Sequence, residues 1–283
     1  MKNNLRNFLI FSTCNIILLS CDKNELPKFN ELNSVRVIAM ITSTPEVNPT
    51  DVVTMTPVIS DVNSTLALTD SAQTCVDLGV AYGVTPTCEG NPTKVVIHAN
   101  RTLTLPGLGS NWTGNADAFV VTIPSALIIF TGRSAAEQFN GVNYLVEYIL
   151  KNSSGTEIRS FRRIVVSNKT PKNTNPVITD IFSNGVTMTT LPLGLKVNLS
   201  SDLGLTSSEN YQVQDFNNVV TTANELLSVT WMITDGKTKF FRSDVGQTNE
   251  YTGPDAAPTG RSAYVFAIAR DNRGGVTVIK RQF

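Results

Sequence analysis

Two stretches of seventeen residues constrain this chain most. "NYLVEYILKNSSGTEIR" from Asn143 and "AYVFAIARDNRGGVTVI" from Ala263 align without a gap, placing Tyr144 over Tyr264, Val146 over Phe266 and Gly155 over Gly275. Each is an alternating apolar run, a polar turn containing glycine, and a second alternating run. Side chains alternate across a strand, so the pattern predicts a β-hairpin closing each half of the chain. The openings of the halves match more loosely, "RVIAMITSTPEVNPTDVVTMTPVISD" facing "PVITDIFSNGVTMTTLPLGLKVNLSSD". A unit of this length, occurring twice, predicts tandem domains and not a solenoid of short repeats.

Composition points the same way. Charged residues make up 16% of the 283, while Thr, Ser, Asn and Val recur throughout, which favours strands and turns over solvated helices. The 23 basic residues balance 23 acidic ones, leaving no basic field for a phosphate backbone, so nucleic acid is not an expected partner. "SNKTPKNTNP", residues 167–176, has two prolines and no aliphatic residue and reads as the interdomain linker. Stretched, ten residues reach about 33 Å, which keeps the domains neighbours without requiring rigid docking. Domain 1 is therefore expected over 33–166 and domain 2 over 177–283. In the first strand, Val35, Val37 and Ala39 alternate with Arg36, Ile38 and Met40. "AFVVTIPSALIIF", Ala118 to Phe130, is too short to span a bilayer and is broken by Pro124; it reads as two strands meeting at a bend. Ser134 and Glu137 in "GRSAAEQFNG" fit a capping box and predict one helical turn.

In the second half, "NELLSVTWMITDGKTKFF" reads as a strand centred on Trp231, a tight Asp235-Gly236 turn and a second strand. With Tyr264 opening the next-to-last strand, this resembles the immunoglobulin-like sandwich. From Pro176 onward the layout is similar to the polycystic-kidney-disease-type and cadherin-like repeats of bacterial surface proteins, with Trp231 and the Arg270 to Gly275 turn as the matching elements. The resemblance implies an all-β fold of two tandem antiparallel β-sandwich domains. The first half departs from it: in place of the tryptophan stands "AQTCVDLGVAYGVTPTCEG", with Cys75 and Cys88 bracketing a glycine- and proline-bearing loop.

The N-terminus has a secretory pattern: Lys2 and Arg6, an apolar stretch from Phe8 to Leu19, then Ser20. Leu18-Leu19-Ser20-Cys21 resembles the lipobox of bacterial lipoproteins. That resemblance implies a signal peptide over 1–20, removed before a lipidated Cys21, and a polar tether over 21–32 held to a membrane by acyl chains. Asp22 resembles the inner-membrane retention signal of enteric bacteria, a rule that does not extend to all bacteria; the outer membrane or cell surface is the expected address ahead of the inner membrane. With Cys14 in the leader and Cys21 lipidated, Cys75 and Cys88 remain as a pair. Outside the cytoplasm they are expected to form a disulfide, stabilising the fold by about 3 kcal/mol. The competing use, two thiolates and His98 on a metal, leaves a tetrahedral shell incomplete.

Catalytic signatures are scarce. His98 in "KVVIHANRT" is the only histidine, and there is no G-x-S-x-G elbow. The acidic residues Asp70, Asp77, Glu89, Asp117, Glu137 and Glu147 are scattered, with no spacing that singles out a pair for glycoside hydrolysis. Asp180, Asp202, Asp235, Asp271 and Asn272 could offer oxygens to calcium, but no EF-hand loop is present, and turn chemistry explains "TDG" and "RDNRGG". Gly107, Gly109 and Gly114 lack phosphate-loop spacing. The candidate contact surface is aromatic: Trp112, and the run Phe240-Phe241-Arg242, where an alternating strand would turn only one phenylalanine to the core. The expectation is a non-catalytic, cofactor-free and metal-free binding or structural module at the cell envelope, with a protein or a glycan as partner and a hydrolase as the remote alternative.

Overall fold

The computed structural model describes residues 29–62, 67–103, 112–202, 208–244 and 246–283, so Cys21, the leader and most of the 21–32 tether lie outside the described residues. Among the described residues the first half supplies β1 (Arg36–Thr42), β2 (Glu46–Val47), β3 (Val52–Asp61), β4 (Leu68–Val76), β5 (Val95–Thr102), β6 (Trp112–Asn115), β7 (Phe119–Thr122), β8 (Val142–Asn152) and β9 (Glu157–Val166). One sheet runs β2-β9-β8-β4-β5; in the other, β3 lies between β1 and the successive short strands β6 and β7. Every pair is antiparallel except the two-residue β2–β9 contact. Between the sheets, Val53, Met55 and Ile59 of β3 meet Val146, Tyr148 and Leu150 of β8 and Ile164 and Val166 of β9. The helix Ala135–Asn140 starts at Ser134 with the capping box complete in both directions.

Two local expectations are corrected. The second part of "AFVVTIPSALIIF" is a helical turn, Ala126–Ile129, not a strand. Pro124 ends the ladder, and the turn inserts only Ile129 into the core while Leu127 and Ile128 stay exposed. In β1 a bulge between Val37 and Ala39 shifts the alternation. Val35, Val37 and Met40 consequently pack on the first core, and Ile38, Ala39 and Ile41 turn the other way.

The second half supplies β10 (Ile181–Ser183), β11 (Val186–Thr187), β12 (Lys196–Ser201), β13 (Asn210–Gln214), β14 (Val220–Asn224), β15 (Leu227–Ile233), β16 (Lys237–Thr238), β17 (Arg242–Asp244), β18 (Asn249–Thr252), β19 (Tyr264–Asp271) and β20 (Val276–Gln282). Its sheets run β11-β10-β12-β18-β16 and β17-β15-β19-β20, with β13–β14 a separate hairpin. The chain is thus all-β, two tandem antiparallel sandwiches of immunoglobulin-like type. Trp231 is fully buried between the second pair of sheets, and its indole Nε1 donates to Ser243 Oγ at 2.9 Å. The Asp235-Gly236 turn does not fold β16 back onto β15; it carries the chain into the opposite sheet, where β16 pairs with β18.

Both repeated segments are hairpins, β8–β9 and β19–β20, yet they face differently. Tyr144 and Val146 enter the core of their own sandwich, whereas the aligned Tyr264 and Phe266 point out of theirs. Outside, Tyr264, Phe266 and Ile268 meet Ile38, Ala39, Val58 and Val62 of the first half in a third apolar layer that also takes Leu32. Four sheets therefore stack with three apolar layers between them, and β19 is buried on both faces. The N-terminal segment joins the second half: Leu32 N donates to Ile233 O at 2.7 Å and Ile233 N to Asn30 O at 2.8 Å. Linker reach left the docking of the halves open; this layer packs them against each other. Segment 167–176 is itself fastened, Asn175 Nδ2 donating to Thr42 O at 2.7 Å and Thr277 Oγ1 to Pro176 O at 2.6 Å.

Candidate binding surfaces at the junction of the halves

Arg273, in the β19–β20 turn, organises the junction. Its Nη2 donates to Glu46 Oε2 at 2.8 Å and its Nη1 to Glu209 Oε2 at 3.1 Å, and the guanidinium lies 4.5 Å from the centre of the Tyr211 ring. Glu46, buried at the start of β2, also accepts from Ser167 Oγ at 2.6 Å and Asn173 N at 2.9 Å, with Lys169 Nζ 3.3 Å away. Burial pushes the Glu46 carboxyl up, but Ser167, Lys169, Asn173 and Arg273 together hold it below the usual range. Glu225 has the opposite fate. Burial first, then the charges of Asp271 and Glu209, raise its pKa to about 7, and the Arg273 guanidinium stands 3.7 Å off without a hydrogen bond to Glu225 Oε1. The β13–β14 hairpin reaches over the seam to the helix Ala135–Asn140, where Gln214 N donates to Asn140 Oδ1 at 2.8 Å.

Two clefts open along this seam. The larger, about 580 Å³, is lined by Glu46, Asn140, Phe161, Lys169, Tyr211 and Arg273 among others. The second, about 420 Å³, shares Phe161 and Arg162 with the first and is walled by Val37 to Met40, Arg159, Arg270 and Val276. Both are of the size that holds small ligands.

Of the residues singled out in the sequence, Phe240 and Phe241 are both exposed, correcting the expectation that one would enter the core. They lie between β16 and β17 in the crossover from sheet to sheet, so strand alternation does not apply; Trp231 N donates to Phe241 O at 2.8 Å and Asn249 Nδ2 to Phe240 O at 2.7 Å. Arg242 opens β17 beside them, opposite Thr230. Trp112 is placed by its backbone alone, opposite Asp61 in β6, and its side chain lies outside the described residues, as do Gly107 and Gly109. Trp112 lies in β6, which pairs with β3 of the first half, whereas Phe240 and Phe241 lie between β16 and β17 of the second.

Cys75 and Cys88 form a disulfide with Cα atoms 5.6 Å apart, packed against Leu145. Glu147 lies beneath it, accepting from Cys88 N at 3.0 Å, Gln73 Nε2 at 2.7 Å and Arg159 Nη1 at 3.0 Å, so this carboxylate anchors a loop. His98 Nε2 is 3.1 Å from Asp70 Oδ1, and Arg101 clamps the same carboxylate through Nε at 3.0 Å and Nη2 at 2.7 Å. Burial holds the imidazole below its usual pKa, and among the described residues no hydroxyl or thiol is hydrogen-bonded to it. Glu89 pairs with Lys94, Asp77 with Arg163 and Glu137 with Arg133; Asp117 accepts from Arg101 through its backbone carbonyl at 2.8 Å. The oxygens considered for calcium fall at three places: Asp180 and Asp202 lie together, Asp180 N donating to Asp202 Oδ1 at 3.2 Å, with Asp180 paired to Arg281 and Asp202 accepting from Thr179; Asp235 pairs with Arg261; and in the β19–β20 turn Asn272 accepts from Leu226 N while Asp271 accepts from Arg273 N and Gly275 N. Among the described residues no group of three His, Cys, Asp or Glu side chains could hold a metal ion, and no helix is long and apolar enough to cross a membrane.

Two features escaped the sequence reading. Between the cysteines, Leu78, Val80, Tyr82 and Val84 are all exposed, Tyr82 completely. The sequence predicts the disulfide-closed loop, but the alternation in "DLGVAYGV" resembles that of a strand with one buried face, and only the structure turns all four side chains to solvent. The other is Arg162, on the inward face of β9 with Ile158, Ser160, Ile164 and Val166, where a cation sits among mostly apolar neighbours.

No protein-family model matches the chain, and no curated protein matches it. Solved structures that match include red sea bream transglutaminase, at 11% identity and a TM-score of 0.24, where the match covers 86% of this chain and 31% of that one. A DUF4466 family protein from Parabacteroides merdae matches at 10% identity and 0.26, over 88% and 98% of the two chains. The Yersinia pseudotuberculosis adhesin InvE matches at 9% and 0.19, over 87% and 58%. Likenesses this weak carry no reading of function.

Proposed function

We propose that the chain is a non-catalytic binding module of a bacterial cell envelope, exported by its N-terminal leader and held to a membrane by lipid on Cys21. The observation that carries the binding role is the loop between Cys75 and Cys88, which presents Leu78, Val80, Tyr82 and Val84 to solvent from a base fixed by the disulfide, Glu147 and the Asp77–Arg163 pair. An apolar loop held in one shape loses less conformational freedom on binding than a floppy one, and a rigid tyrosine is a strong interface anchor. A disulfide also suits an oxidising compartment, in keeping with export. The partner surface is inferred to be apolar protein. A Tyr82→Ser, Leu78→Ser variant should keep the wild-type melting temperature and lose partners crosslinked at position 80 in intact cells; retention of the same crosslinks removes the loop from the interface. Palmitate incorporation and mass spectrometry of the mature N-terminus test the anchor, and an unmodified Cys21 defeats it. A glycan-binding reading draws on the exposed Phe240–Phe241 pair, which could stack on sugar rings; a Phe241→Ala variant with an unchanged glycan-array profile ends it.

A further inference from the structure

Arg162 and Arg270 face each other's halves across the second cleft without a carboxylate. Arg162 points inward from β9, and its Nε and Nη2 are buried with no hydrogen-bond partner among the described residues. Arg270 lies on the face of β19 that carries Tyr264, Phe266 and Ile268 toward the first half, and among the described residues its side chain donates to Thr230 Oγ1 alone, at 2.9 Å. The acid that acts most on Arg162, Asp271, is already taken by Arg273 N, Gly275 N and Asn173 Nδ2. Arg159, the third arginine on the cleft wall, is neutralised by Glu147 and Glu157. Buried guanidinium donors are almost always satisfied, because an unpaired buried charge is strongly disfavoured and two like charges close together more so.

We propose that this cleft is an anion site in which Arg162 and Arg270, one from each half, grip the carboxylate or phosphate group of a small ligand whose body rests against Val37, Phe161 and Val276. The planar fork of arginine suits both oxyanions, and a volume of about 420 Å³ accommodates a sugar-sized molecule. Burial lowers the Arg162 pKa to about 10, and Arg270 is lowered by burial and by the neighbouring charge of Arg242; a bound anion relieves both. The site exists only when the halves are docked and does not depend on the lipid; Thr85 of the Cys75–Cys88 loop forms part of its wall, but neither arginine belongs to that loop.

The test is isothermal titration of the full chain with inorganic phosphate and with D-glucuronate, at ionic strength held constant with sodium chloride, and with methyl glucoside as the neutral comparison. Saturable one-to-one binding of either anion is expected, the tighter one identifying a phosphoryl or a carboxylate ligand, with no binding of the glucoside. Arg162→Met and Arg270→Met should each weaken binding at least about tenfold, while Lys196→Met, on a distant exposed strand, leaves it unchanged. Since a buried arginine can be needed for folding, Arg162→Lys is measured beside them, its fold checked by circular dichroism; it keeps the charge but loses the fork and should bind more weakly than wild type. No saturable binding of either anion, equal binding by folded Arg162 or Arg270 variants, or equal binding of the glucoside overturns the site.

Discussion

Glu225 shows how one buried side chain sets a pH response. Its pKa is raised to about 7 by burial and by Asp271 and Glu209, above the 4.5 of an ordinary glutamate. Because the folded form holds the proton more tightly, its stabilising contribution is full below about pH 4.5 and is lost as pH rises through about 7. Glu225→Gln should therefore gain about 1–3 kcal/mol relative to wild type between pH 5 and pH 8, read as a difference in melting temperature. A difference that is flat over that range would contradict the geometry. Glu46 has the opposite sign: held low, it contributes above the ordinary carboxylate pKa and is lost as pH falls below it. Removing its partner with Arg273→Met should cost about 3–5 kcal/mol in urea unfolding, since Glu46 would be left buried without its hydrogen-bonded guanidinium, the remaining cations being Lys169 at 3.3 Å and the more remote Lys172. Gly275 is constrained by space: a Cβ there would lie 2.0 Å from Asp271 Oδ2 and 2.9 Å from Thr174 O. The alignment of Gly155 with Gly275 was legible in the sequence, but the close approach of the linker, which forbids a side chain at the second position only, was not.

At the scale of elements, the loop between β4 and β5 is held by a covalent tie between residues thirteen apart. Replacing both cysteines by serine should lower stability by about 3 kcal/mol and make the Leu78 to Val84 segment the first site of limited proteolysis. Equal resistance of the variant would mean that Glu147 and the Asp77–Arg163 pair fix the loop without the disulfide. Strands β8, β9, β19 and β20, the capping box at Ser134 and Trp231 in the second core were all readable, because each rests on local alternation or on a local hydrogen-bond exchange. The Phe240-Phe241 run was misread because the Asp235-Gly236 turn moves the chain between sheets, and which sheet a strand joins is not a local property. The helical turn Ala126–Ile129 was missed because a four-residue apolar run fits either period.

For the whole molecule, the third apolar layer makes the two sandwiches interdependent. Calorimetry of the wild type should give one unfolding transition, and Phe266→Ala, which empties the layer of a fully buried ring, should cost about 3–5 kcal/mol. Two separated wild-type transitions would show that the layer does not couple the halves. The sequence by itself determined the all-β character, the two closing hairpins and the pairing of Cys75 with Cys88, since strand period, turn residues and cysteine count act over short range or by composition. Only the tertiary structure decided that the outer face of β19 is an interface, that segment 167–176 is fastened, and that Arg162 and Arg270 share a cleft. The physical reason is that an apolar face records that it must be buried, and not against what; the partner surface comes from residues more than a hundred positions away, brought together when the sheets stack.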